Sequence, residues 1–382
     1  MENFIFHNPT TVDFGSERQH AIGEHLAKNG AKHVLVVFGS DRVKRDGLFG
    51  DVQASLEKQG ITFCELGGVV SNPLLTKVRE GVALAKSEKV DAVLAVGGGS
   101  VLDSVKAIAA GAKFEGDVWD LFIGKAPVES ALPIFSILTL AATGSEMNCG
   151  SVVTNEETKE KLGLNTPALF PTVSVVNPDL MKTVSRDYLV YSASDIIAHS
   201  IEGYFTATVQ PNFQNRLIES IIKTVIETTE QLLEDNDNYT ARAQFAWAST
   251  QALNGLIYSG TAGFNYPNHT IEHAISAEYN VPHGAGLSVV MPAWMKWYHG
   301  RNEAQFTRFA KEVFGLETAL EGIEALEAWF DKIGTPTRLS QFDIQESEFD
   351  ALADSIVKHA NWFGNADTYT KEAALEILTI AK

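Results

Sequence analysis

Val90-Asp91-Ala92-Val93-Leu94-Ala95-Val96-Gly97-Gly98-Gly99-Ser100-Val101-Leu102-Asp103 decides the architecture of the first half of this chain. The run from Val90 to Val96 is apolar apart from Asp91, the pattern of a strand covered on both faces. Three glycines end it, and a periodic helical segment follows over residues 100–111. A buried strand, a tight glycine turn and a crossover helix are the parts of a parallel βαβ sheet.

The alternation extends both ways. Upstream, Val34-Leu35-Val36-Val37-Phe38 is closed by Gly39, and residues 41–58 read as a helix with Leu48, Val52 and Leu56 on one face. Ile61-Thr62-Phe63-Cys64-Glu65-Leu66 reads as a strand ended by Gly67-Gly68, and residues 76–88 are amphipathic. Downstream comes Pro133-Ile134-Phe135-Ser136-Ile137-Leu138. Near Val173-Ser174-Val175-Val176-Asn177-Pro178 the pattern changes. Beyond it lie long helical periodicities, over residues 186–207, 213–234, 239–258, 269–278 and 284–298 and further toward the C-terminus. Pro211, Gly260, Gly263, Pro267, Pro282, Gly334 and Pro336 punctuate them. The expectation is an α/β N-terminal domain with a mostly parallel, doubly wound sheet over residues 1–180, then an all-α C-terminal domain over 181–382. No internal repeat or long linker appears, so the two are expected to pack directly and enclose a cleft.

At 382 residues the chain suits two domains of roughly 150 residues or more. Its 48 acidic against 30 basic side chains give a net charge of −18, which opposes nucleic acid or an anionic membrane as partner. Two cysteines, Cys64 and Cys149, make no disulfide framework and suit a reducing compartment. The opening Met-Glu-Asn-Phe-Ile-Phe-His-Asn-Pro lacks the basic start of a signal peptide. The longest apolar run, residues 131–142, contains Pro133 and falls short of the roughly 20 residues that span a bilayer. A cytoplasmic protein is expected.

Three strand-end turns carry ligand-binding chemistry. Gly97-Gly98-Gly99-Ser100 lets backbone amides and the positive end of a helix approach an anion, most naturally a pyrophosphate. It is not the Gly-x-Gly-x-x-Gly fingerprint. Thr139-Leu140-Ala141-Ala142-Thr143-Gly144-Ser145-Glu146 follows the next strand with hydroxyls suited to phosphate, ribose or nicotinamide. At Gly39-Ser40-Asp41-Arg42 the clues conflict. Ser40 beside Arg42 would admit the 2′-phosphate of NADP, whereas Asp41 would accept hydrogen bonds from the ribose of NAD.

The helical half holds a second constellation. Asp195 and His199 stand at i and i+4, as do His269 and His273, and His283 follows at a turn between Pro282 and Gly284. A lone His-x-x-x-His is ordinarily a surface or core feature. Two such pairs plus His283, with Asp195 and His199 embedded among Ile196, Ile197, Ala198 and Ile201, instead indicate a common centre. One carboxylate with several imidazoles suits Zn²⁺ or Fe²⁺ better than Ca²⁺ or Mg²⁺. Phe264, Tyr266 and Trp294 are candidates for lining the cleft, although aromatics at such spacing are more often core.

With these motifs in place, the sequence resembles the iron-containing, group III alcohol dehydrogenase family, in its butanol dehydrogenase and broad-specificity NADPH-dependent aldehyde reductase branch. The resemblance spans the chain, from Phe6-x-x-Pro9-Thr10-x-x-x-Phe14-Gly15 through the two central turns to Asp195-x-x-x-His199, His269-x-x-x-His273 and Pro282-His283-Gly284. It implies a dehydroquinate synthase-like architecture and a homodimer. It also implies Asp195, His199, His269 and His283 as ligands of one divalent metal, Fe²⁺ or Zn²⁺, with His273 nearby as a non-ligand and candidate proton relay. For the cofactor, NAD(P)H, it implies Gly97, Gly98, Ser100 and Asp103 at the pyrophosphate turn, Thr139 and Thr143 as contacts, Gly39 and Ser40 at the NAD/NADP-selecting turn, and Lys161 near the active site. Two positions depart from the family: Asn268 and Glu272 stand where Gly and Ala are common. The selecting turn is also poorer in glycine than that of NADP-dependent reductases.

The chemistry this implies is reversible hydride transfer between nicotinamide and a primary alcohol or aldehyde, with the metal polarising the substrate oxygen. Rival readings are a glycerol dehydrogenase-like or dehydroquinate synthase-like enzyme and a non-catalytic nucleotide-binding protein. Four ligand positions speak against the first, and the missing Lys/Arg cluster near the metal motifs speaks against the second.

Overall fold

The computed structural model describes residues 1–382, which form two compact units, His7–Val184 and Ser185–Lys382 together with Met1–Phe6. The division falls four residues after position 180, and the first six residues belong with the helical unit.

In the His7–Val184 unit, six strands form one parallel sheet: β1 (Thr11–Phe14), β2 (His33–Phe38), β3 (Thr62–Leu66), β4 (Ala92–Gly97), β5 (Ile134–Leu138) and β8 (Val173–Val176), in the order β1-β8-β5-β4-β2-β3. The central strands β4 and β5 are buried along their whole length, whereas the edge strands β1 and β3 are partly exposed. That contrast is why the central strands read clearly as apolar runs and β1 does not. Helices Ile22–Lys28 and Leu48–Lys58 cover one face, where Val34, Val36, Phe38, Leu94, Val96, Phe135 and Ile137 point. Alternate residues such as Leu35, Val93 and Ala95 face the opposite side, and helix Gly99–Ala112 packs there on β4 and β5 beside Leu75–Ser87. Gly81 makes that helix pair possible, since a Cβ there would lie 2.3 Å from Ile108 Cδ1.

In this unit two details differ from the sequence expectation. The helix expected over 41–58 is broken at Gly47 (φ 88°) into a short turn, Arg42–Arg45, and Leu48–Lys58. A two-stranded antiparallel hairpin, β6 (Gly150–Asn155) and β7 (Glu160–Asn165), follows β5 and packs on helix Gly99–Ala112.

The Ser185–Lys382 unit contains no strand. Its principal helices include Arg186–Thr206, Asn212–Glu234, Tyr239–Ala252, Pro267–Tyr279 and His283–Tyr298. The Tyr239 helix ends at Ala252, short of the expected 258, before Gly255 (φ 91°) starts a separate turn, Leu256–Tyr258. Ser185 caps the Arg186–Thr206 helix by accepting from the Tyr188 amide. That helix is buried almost throughout from Leu189 to Thr206, so it is the spine of the unit rather than an amphipathic surface helix. Trp294 is fully buried, in an aromatic core with Phe205, Tyr298 and Phe306, and donates to Tyr369 Oη at 3.0 Å. No helix is long and apolar enough to cross a membrane.

Close backbone approach in the sheet unit is testable at Gly23, whose amide donates to Ser55 Oγ at 2.9 Å and whose Cβ would lie 2.0 Å from the Ser55 carbonyl oxygen. Gly23→Ala is expected to lower unfolding stability by about 1–3 kcal/mol, because backbone must separate; urea denaturation checks it.

Candidate functional site

The turns expected to bind a nucleotide come from neighbouring strands. β5, β4 and β2 are adjacent in the sheet, so Thr139, Gly97 and Gly39 stand side by side at its carboxyl edge. The chain leaves β2 toward β3 on one side and leaves β4 toward β5 on the other, which makes the gap between β2 and β4 the switch point where α/β sheets bind ligands. Helix Gly99–Ala112 starts there. The amides of Gly99 and Ser100 have no carbonyl one turn earlier within the helix to reach, so they supply an anion-binding helix end. Gly97 and Gly99 leave no room for a side chain, and Gly98 leaves little. A Cβ would lie 2.4 Å from Val101 at Gly97, 3.0 Å from Leu140 at Gly98 and 2.4 Å from Thr143 Oγ1 at Gly99.

At the selecting turn, Ser40 and Asp41 are exposed. Arg42 is engaged away from any ligand, its Nη1 donating to the Thr183 carbonyl at 2.8 Å and its Nε 3.5 Å from Asp46. Asp103 is turned inward, accepting from Ser145 Oγ at 2.7 Å and from the Val152 amide at 3.0 Å. Lys161 lies buried on β7, its Nζ donating to Asn72 Oδ1 at 3.1 Å. Thr139 and Thr143 are partly exposed.

The helical unit contains the expected metal ligands in one cluster. Asp195 and His199 occupy one face of Arg186–Thr206. His269 sits in the first turn of Pro267–Tyr279, and His283 is the first residue of His283–Tyr298 rather than part of a turn. Asn280, in the left-handed region (φ 52°), ends the Pro267 helix, and Pro282 starts the next, which sets the tight reversal between them. Gly284 allows this last helix to touch the spine helix, since a Cβ would lie 2.0 Å from the Tyr191 carbonyl, one turn before Asp195.

From Asp195 Oδ1 the distances to Nε2 of His199, His269 and His283 are 3.5, 3.7 and 3.6 Å. Ligands bonded at about 2.1 Å around a tetrahedral ion would stand roughly 3.4 Å apart, so the spacing fits one cation. The polar accounting agrees. Asp195 Oδ1 and His269 Nε2 are buried without a hydrogen-bond partner, a costly arrangement that a cation would satisfy.

Two further carboxylates complete the centre. Glu202 Oε1 lies 2.7 Å from His269 Nδ1 and accepts the His269 amide at 3.0 Å; Glu272 Oε2 bonds His283 Nδ1. Both are fully buried. Each holds the ring nitrogen opposite the one facing Asp195, which orients Nε2 toward the shared centre. Neither was singled out as a site residue from sequence. For Glu202 a signal existed: Asp195, His199 and Glu202 at i, i+4 and i+7 share a helix face. Glu272 had registered only as a family departure. His273 is buried, with its ring centroid 5.7 Å from that of His283 and 6.2 Å from that of His269, and one of its ring nitrogens lies within 4.8 Å of donor atoms of both Glu272 and His283. Tyr266 packs edge-on to His269 at 6.0 Å, and Phe264 stacks on Tyr258 at 4.7 Å.

Protonation follows from this packing. Burial would raise Asp195, but His199, His283 and His269 outweigh it and hold the carboxyl well below its usual range. Burial, with His269 and His283 adding to it and Asp195 opposing, lowers His199 to about 3. His269 is raised to about 9, because Asp195 and Glu202 outweigh the burial that would lower it.

A cation binding at neutral pH must therefore displace the His269 proton, since His199 is already neutral. Calorimetric titration of the metal-free protein in two buffers of different ionisation enthalpy is expected to show about one proton released per ion below pH 9, with affinity falling as pH drops. Glu272→Gln, which keeps the shape but removes the charge behind His283, is expected to weaken cation affinity about 10–100-fold, read by chelator competition.

Comparison with known proteins agrees with these geometries. Residues 9–178 match the model of the iron-containing alcohol dehydrogenase family, and residues 189–381 match its Fe-containing alcohol dehydrogenase C-terminal model. A probable NADH-dependent butanol dehydrogenase 1 of Bacillus subtilis is 42% identical over 386 residues, covering 99% of both chains. An NADPH-dependent aldehyde reductase of Escherichia coli is 32% identical, covering 94% of each. The crystal structure of NADH-dependent butanol dehydrogenase A from Thermotoga maritima superposes with a TM-score of 0.96 at 45% identity, covering 100% of this chain and 99% of that one. The parallel sheet unit and the helical unit are those of the dehydroquinate synthase-like fold. A chain that matches both family models, over residues 9–178 and 189–381, and is 42% identical to one relative along 99% of its length, belongs to the iron-containing alcohol dehydrogenase family.

Proposed function

We propose that this protein is a cytoplasmic, dimeric butanol dehydrogenase or aldehyde reductase that prefers NADH and works on primary alcohols and aldehydes. Asp195, His199, His269 and His283 would hold its Fe²⁺ or Zn²⁺. Hydride exchange between NAD(P)H and an alcohol/aldehyde pair is the reaction of the family to which the chain belongs. The observation that carries the metal assignment is the convergence of three imidazole nitrogens on Asp195 Oδ1 at 3.5–3.7 Å, inside a buried cluster.

A bound divalent cation supplies Lewis-acid polarisation of the substrate oxygen. The chain's own residues do the rest. Glu202 and Glu272 keep His269 and His283 in the metal-binding tautomer. His273, buried beside these ligands, is the group to carry the proton exchanged with the substrate oxygen. The Gly97–Ser100 helix start, with Thr139, Thr143 and the Gly39-Ser40 turn on adjacent strands, binds the nucleotide. Asp103 serves that site through the loop it anchors, and Lys161 supports it from the hairpin. The NADH preference rests on the exposed Asp41, a carboxylate that accepts ribose hydroxyls and repels a 2′-phosphate, and on the commitment of Arg42 to Thr183 and Asp46. The relatives named for NADH-dependent butanol dehydrogenation support the same choice. A reducing compartment fits the two free thiols, Cys64 and Cys149.

Anaerobic purification with elemental analysis, followed by butyraldehyde reduction with NADH and with NADPH, tests the reading. One Fe or Zn per chain and faster turnover with NADH are expected. His199→Ala should lose both metal and activity, and full activity in a metal-free His199→Ala preparation refutes the assignment. His273→Ala should keep its metal while kcat falls about 10²-fold or more, as for loss of a proton-transfer group.

A further inference from the structure

Lys106 lies on the third turn of helix Gly99–Ala112 and is completely buried. Five oxygens surround its Nζ: the Ser145 carbonyl at 2.8 Å, Ser145 Oγ at 2.9 Å, the Asn148 carbonyl at 3.0 Å, Asn148 Oδ1 at 2.9 Å and the Gly150 carbonyl at 2.8 Å. An ammonium has three protons, so five acceptors cannot each receive a linear hydrogen bond. The arrangement is closer to the coordination of a monovalent ion by a loop than to a salt bridge.

The surrounding contacts show what this cage shapes. Residues 143–150 have little regular structure beyond the short turn Ser145–Met147, which Gly144 enters in the left-handed region (φ 61°). Three of their carbonyls converge on one point, and without a cation they would repel one another. Asp103, one turn earlier on the same helix, holds the loop from the other end by accepting from Ser145 Oγ at 2.7 Å. On the sheet side, Ser136 Oγ donates to Ser174 Oγ at 2.8 Å, and Ser174 Oγ donates to the Glu146 carbonyl at 2.6 Å. The held loop places Thr143 in the space that a Cβ on Gly99 would occupy, directly against the helix start.

We propose that the Lys106 ammonium acts as a built-in monovalent cation that sets the residues 143–150 loop in its nucleotide-binding shape. It is a positioning residue for the cofactor, a role that rests on the assignment of Thr143 to nucleotide binding. The helix therefore has two functions along its length: its first turn offers amides to the anion, and its middle supplies the charge that arranges the adjacent loop.

The test uses the metal-loaded full chain with Lys106→Met, which keeps the length and removes the charge. NADH affinity is expected to weaken by about tenfold, or about 1.4 kcal/mol, and amide exchange over 143–150 to accelerate. Metal content and the KM for butyraldehyde should stay as in the parent, because the metal ligands lie in the helical unit. In Lys106→Ala, added ethylammonium chloride should restore NADH affinity where sodium chloride at equal ionic strength does not. Should Lys106→Met fail to fold, Lys106→Arg keeps the charge in a forked shape that cannot sit among five oxygens, and is expected to show the same loss. Unchanged exchange and unchanged NADH affinity overturn the proposal. Accelerated exchange with unchanged NADH affinity supports the loop-holding role and refutes instead the assignment of this loop to the cofactor.

Discussion

An ionised carboxylate with three imidazoles, nearly stripped of water, is the constraint on which the helical half depends. Asp195 and His199 sit on a helix buried from Leu189 onward, and Asp195 Oδ1 has no hydrogen bond to offset its lost hydration. Leaving such a group unpaired costs several kcal/mol. A divalent ion would remove that cost, so the candidate metal centre and the packing of three helices are one feature. The close approach at Gly284 that brings His283 to Asp195 is part of the same packing.

The buried carboxylates behind the histidines extend this logic. Glu202 and Glu272 each take the ring nitrogen that does not face Asp195. In doing so they fix the tautomers and add negative charge around the cation. The three carboxylates exceed the charge of one divalent ion, so a cation at this centre would be held by charge as well as by geometry. Among the three candidate ligand histidines, His199, whose Nδ1 has no hydrogen-bond partner, is the one without such support.

The sheet half solves a different problem with the same economy of buried charge. The candidate anion site is built from backbone amides at a helix start, a local source of positive potential in a chain whose overall charge is −18. The one fully buried cation of helix Gly99–Ala112, Lys106, faces carbonyl groups, not a ligand. Burial lowers it to about 8, against the pull of Asp103, Cys149 and Glu146.

Much of this was legible in order along the chain. Val34–Phe38, residues 90–97 and 133–138 announced central strands because they are buried on both faces, and the helices from Arg186 to Tyr298 announced themselves by period and by their breakers. The weak elements were those whose pattern depends on a partner: the short edge strand β1, the β6–β7 hairpin, and the break of the helix at Gly47. The candidate ligands were legible because i and i+4 positions on a helix are neighbours whatever the rest of the chain does. Glu202 was so only by its place on the helix face of Asp195 and His199, and Glu272 and Lys106 were not, because a buried charge looks like a surface charge until its partners are known. Those partners come from 67, 11 and 39–44 residues away. Local periodicity thus determined the elements and the donor types, while only tertiary packing decided which charges lose their water and must therefore be paired.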